Sequence, residues 1–224
     1  MQKITNWIFN QSPRKLAICL VLGPLLLFLA HTLITILVRN ISETSTTIET
    51  ISNIVLGVLF LILAILVLLW LFWLRSTVYS VEKSDLGLPL RWFNIAFVVF
   101  AIYLLYNLCF SHIEHIDEGY QHIFYALNEF IGFGGLLIAY PLICYYSARG
   151  ISAKKDNKPA TFVSALPFAL VLVFGAVLGI PFFHKYFSTK TSTNSEVVII
   201  YGIGIGLCIV LFVVGFLAAI TGLV

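Results

Sequence analysis

Six long apolar segments with short polar connections leave this chain few ways to fold. They run at about 16–38, 51–74, 93–111, 123–146, 162–183 and 197–224. Each is near or above the ~20 residues that a helix needs to cross a hydrocarbon layer of ~30 Å. The expected fold is therefore an all-α, polytopic membrane bundle of six transmembrane helices. Of 224 residues, 60% are hydrophobic and only 10% are charged, against about 25% charged in a soluble domain. The spans and their flanks use up the chain, so one transmembrane domain over 1–224 is expected. Any chemistry then belongs inside the bundle, at its rims or in short loops.

The net charge of +3 is scattered over short loops, which argues against nucleic acid as a partner. The bilayer itself is the first partner, and a second membrane protein or another copy of the chain is the next. Lys3, Arg14 and Lys15 precede the apolar run in the manner of a signal peptide. The run continues past His31 to Val38, longer than a signal sequence needs, so it reads as a retained first span. Ile4, Trp7, Ile8 and Phe9 make residues 1–14 a candidate interfacial helix.

Charge predicts an orientation. Lys3, Arg14, Lys15, Arg75, Lys83, Arg91, Arg149, Lys154, Lys155 and Lys158 fall on one side of a six-span arrangement, and only Arg39, Lys185 and Lys190 on the other. The positive-inside rule then puts both termini in the cytoplasm. Trp7, Trp70, Trp73 and Trp92 lie near that same interface, where indole rings are favoured. Cys19, Cys109, Cys144 and Cys208 all fall in spans with no CxxC spacing, as expected of apolar packing residues.

The residues most open to function are polar groups in or beside the spans. Residues 111–129, SHIEHIDEGYQHIFYALNE, hold three of the five histidines and four of the ten acids, with no Lys or Arg. Imidazole and carboxylate are the usual ligands of zinc and related divalent ions. On a helix, His115, Glu118, His122 and Glu129 would share roughly a 60° arc, with His112 beside it. His112, His115, Glu118 and His122 are thus candidate metal ligands, although Gly119 is placed to interrupt the helix. A solvated outer loop explains the same residues, and HExxH and histidine-box spacings are absent.

Glu129 lies some way into the fourth span, followed by Gly132, Gly134 and Gly135, which permit close helix approach. With Asn107 and His31 it forms a candidate intramembrane polar or ion site near the outer half of the bundle. Pro24, Pro141, Pro167 and Pro181 interrupt spans. Gly202 and Gly206 form one GxxxG in the last span, a packing surface for another helix. The segment SARGISAKKDNKP at 147–159 reads as a cytoplasmic loop.

Three functions fit these residues. The first is a non-enzymatic subunit or accessory factor of a membrane assembly. The second is a small cation or proton transporter or channel using Glu129 and the His-rich rim. The third is an enzyme dependent on a divalent metal and acting near the outer leaflet. The loop-poor design suggests a bacterial inner membrane.

Overall fold

The structure, a computed structural model, describes residues 2–30, 32, 45–110, 118–190 and 194–221, and all regular secondary structure among them is helical. Five helices are long and apolar enough to cross a membrane: Pro13–Ala30, Gly57–Tyr79, Leu90–Asn107, Tyr125–Asp156 and Ser195–Val213. They coincide with five of the six expected segments and are called here the first, second, third, fourth and last spans. Their surface is the reverse of a soluble protein's. Leu61, Phe130 and Phe212 are 63%, 77% and 75% exposed, a shell suited to lipid and a liability in water. The chain is an integral membrane protein.

The segment at 162–183 departs from expectation. It forms a 14-residue helix, Phe162–Gly175, then a 3₁₀ turn, Ala176–Gly179, then the short helix Ile180–His184. Gly175 and Gly179 are weak helix formers. Pro181 lacks an N–H, and its ring presses on the carbonyl four residues back. Pro24 and Pro141 act differently. Each follows closely on a π-helical stretch, Ile18–Leu22 and Phe133–Ala139. Widening the turn moves the obstructed carbonyl away from the proline ring while the helix continues.

The chain packs as two compact units, one of Met1–Trp73 with Val177–Val224 and one of Leu74–Ala176. In the second unit the helix Tyr140–Asp156 is central. Phe162–Gly175 runs antiparallel to it: Ser152 Oγ donates to Ser164 Oγ at 2.8 Å, and Tyr140 Oη donates to the Leu172 carbonyl at 2.8 Å. Ser147 Oγ donates to the Leu74 carbonyl at 3.1 Å, and Tyr146 Oη to the Pro89 carbonyl at 2.8 Å. Residues 147–153 were expected in a solvated loop. They instead continue this helix and are buried, because their small side chains (Ser147, Ala148, Gly150, Ser152, Ala153) let neighbours approach. The helix stops at Asn157, whose left-handed φ of 48° is one that asparagine tolerates.

Arg149 is correspondingly not a loop cation. It is 8% exposed. Its guanidinium donates to the Ala160 carbonyl and, at 3.1 Å, to the Tyr145 hydroxyl. Gly87 makes room for it: at φ +61°, a β-carbon there would stand 2.7 Å from Arg149 Nη2.

In the first unit the first and last spans run parallel. Ala17 packs with Val197 and Ile200. Farther along, Gly204 faces Val21, Leu22 and Leu25. Residue numbers rise together along the contact, so the last span starts at the end where the first one starts. Six crossings with both termini on one side would need these two spans antiparallel, so the structure does not confirm that expectation.

Candidate functional site

The most constrained polar group of the first unit sits where the chain turns before its last span. His184 ends the helix Ile180–His184 and is fully buried. Trp73 Nε1–H donates to its Nδ1 at 3.1 Å, and its Nε2 lies 2.8 Å from the Gln11 carbonyl. A carbonyl only accepts, so Nε2 carries the proton and the imidazole is neutral. Burial lowers its pKa from the ordinary histidine value, and the hydrogen bond to Gln11 opposes this only in part.

Around it, the N-terminal helix Gln2–Phe9 is fastened to the turn. Phe9 stacks on Phe187 with centroids 5.2 Å apart, and Phe187 meets Trp73 edge-on at 6.3 Å. Ser188 Oγ donates to the Gln11 carbonyl at 2.9 Å, and Thr189 Oγ1 to Asn10 Oδ1 at 3.0 Å. The first span then begins locally. Ser12 caps it by accepting from Lys15 N–H at 3.3 Å, and Pro13 occupies the first helical turn, where its missing N–H is harmless. Of the four tryptophans expected at the interface, Trp70 and Trp73 are buried in packing, and Trp7 and Trp92 are each 57% exposed.

This arrangement joins elements and does no proton chemistry as it stands. Both imidazole nitrogens are engaged, so neither has a lone pair free for a metal or a substrate proton. Beside it opens an apolar cleft of about 230 Å³ between the N-terminal helix, the start of the first span and Leu69, with Lys15 on its wall.

The residues singled out from sequence are placed as follows. His31, His112 and His115 lie outside the described residues. Glu118 and His122 fall in the helix Glu118–Gly132, but their side chains are outside the described ones. Glu129 and Asn128 are exposed on that helix. The Asn107 amide donates to the Tyr103 carbonyl one turn back, at 2.9 Å. Among the described residues no three His, Cys, Asp or Glu side chains are grouped to hold a metal. Cys19, Cys144 and Cys208 are free thiols, Cys144 buried and the others exposed. Gly135 does bring helices together, since a β-carbon there would overlap the Tyr103 side chain, whereas Gly132 and Gly134 face open space.

The His184 clamp was not found from sequence. His184 is separated from Trp73 by 111 residues and from Gln11 by 173, and nothing in local pattern links them. The only signal is a histidine beside a proline-broken apolar segment. Comparison with protein-family models, with curated proteins and with solved structures finds no match.

Proposed function

We propose that this chain is a non-enzymatic subunit or accessory factor of a membrane assembly, and that its last span receives a helix of the partner. One observation carries this reading. Gly204 packs on the chain's own first span, but Gly202 and Gly206 are exposed, and a β-carbon on either would meet nothing within 4 Å. Ile199, Ile203 and Val210 share their face and are 60%, 49% and 57% exposed. The result is a shallow groove with ridges of branched side chains, which a second helix fills more closely than lipid chains do. Glu129 and Asn128, exposed beside Phe130 on the fourth span, would likewise be better served by a polar partner than by lipid.

The proposed orientation keeps the N-terminus in the cytoplasm. Arg14, Lys15, Lys185 and Lys190 all lie toward the end of the first unit at which the first and last spans begin, as the positive-inside rule favours. The chain then crosses five times, with the 14-residue helix Phe162–Gly175 too short to count among the crossings. The short loops suit a bacterial inner membrane.

Photo-crosslinking from Ile203 in native membranes tests the assembly. The wild-type chain should give a discrete adduct, and Gly202→Leu with Gly206→Leu should abolish it without lowering the melting temperature. A chain that gives no adduct and purifies only as a lone monomer in mild detergent overturns the proposal.

A further inference from the structure

We propose that the cleft beside the N-terminal helix is a binding site for a single anionic phospholipid. Its wall is formed by Trp7, Gln11, Leu16, Cys19 and Leu69, with Lys15 among them. The polar capacity of this wall is largely spent internally, because the Gln11 side-chain amide donates to the Trp7 carbonyl at 3.2 Å. The lining that remains is almost wholly apolar, and Lys15 is the one charged residue in it. At about 230 Å³, the cleft exceeds the ~150 Å³ cavity known to hold benzene. It therefore has room for the upper methylenes of one acyl chain.

The charge around the cleft favours an anion. Lys15 and its neighbour Arg14 are both exposed. No Asp or Glu occurs before Glu43, so neither the N-terminal helix nor the first span carries a carboxylate of its own to compete for a phosphate. The location selects a lipid over a soluble anion. Trp7, 57% exposed, stands on the helix that precedes the first span, and indole and ammonium groups together mark the level of lipid headgroups. A phospholipid there would put its phosphodiester against Lys15 Nζ and its chain along Leu16 and Leu69. A free phosphate would satisfy the ammonium and leave the apolar wall uncovered. This inference is independent of the proposed assembly, because it uses the first span's entry and not the glycine face of the last.

Native mass spectrometry of the full-length protein in detergent provides the test, with phosphatidylglycerol and phosphatidylcholine of identical chains as probes. Phosphatidylglycerol should bind as a one-to-one adduct more tightly than phosphatidylcholine. Lys15→Gln should weaken it about fivefold, the effect of one basic residue at an anionic lipid surface, and leave phosphatidylcholine unchanged. Lys15→Arg should retain the preference. Cys19→Trp, which fills the cleft, should weaken both lipids. Lys190→Gln, which alters a cation outside the cleft, should change neither. The site is overturned if Lys15→Gln leaves the preference intact, if Lys190→Gln removes as much of it, or if excess inorganic phosphate displaces the lipid. Lys15 is exposed, so its replacement tests the site even if Cys19→Trp fails to fold.

Discussion

At the scale of single residues, His184 shows how burial decides protonation. Its ring accepts from Trp73 and donates to Gln11. A second proton would set two donors, Nδ1–H and the indole N–H, against each other. Burial also holds its pKa below the ordinary 6.5. The unfolded chain therefore takes up a proton at higher pH than the folded chain does. The stabilisation is complete above 6.5 and is lost as pH falls through the lowered folded value. The melting temperature of the solubilised protein should fall as pH drops from about 7.5 to 5, and His184→Phe should flatten part of that decline. At neutral pH, His184→Ala should cost roughly 2–4 kcal/mol, from the emptied space and an orphaned indole N–H. Chemical denaturation of wild type and variant in the same detergent measures that difference. His184 directly follows the apolar segment at 162–183. Its partners could not be read, because they come from the other end of the chain and from a different span.

At the scale of elements, small residues and prolines decide how the helices meet. The third and fourth spans touch at Gly135, where the Tyr103 side chain occupies the place of a β-carbon. Gly135→Ala should therefore force these helices apart and lower the melting temperature. Gly132→Ala and Gly134→Ala face open space and should leave stability unchanged or raise it by up to about 1 kcal/mol, because alanine is the better helix former. Equal gains at all three would show that helix propensity, and not the Tyr103 contact, governs the site. The run of glycines was legible as a place for close approach, but which one makes it depends on helix rotation. The prolines were legible as interruptions. Their outcomes were not: Pro24 and Pro141 follow widened turns, Pro167 lies within a helix, and Pro181 starts a new one. Each outcome depends on whether packing keeps the flanking helix in line.

At the scale of the whole molecule, the parallel first and last spans predict where each end is accessible. In a background lacking Cys19, Cys109, Cys144 and Cys208, a cysteine at Lys190 should react with a membrane-impermeant maleimide from the side that labels one at Trp7. A cysteine beyond the end of the last span should react from the opposite side. Labelling of Lys190→Cys from the far side would restore six crossings. Sequence by itself determined that this is a helical membrane protein, because long apolar runs can satisfy their backbone groups in lipid only by closing hydrogen bonds within each run. It also located five apolar helices, since hydrophobic length is a local property, but it ended the fourth at 146 where the helix runs on to Asp156. Hydropathy is blind to direction, however, and an apolar run that crosses reads the same as one that bends back. Only tertiary packing of Ala17 on Val197 and Ile200, and of Gly204 on Val21, set the last span parallel to the first. That contact joins residues some 180 positions apart, where no local pattern reaches.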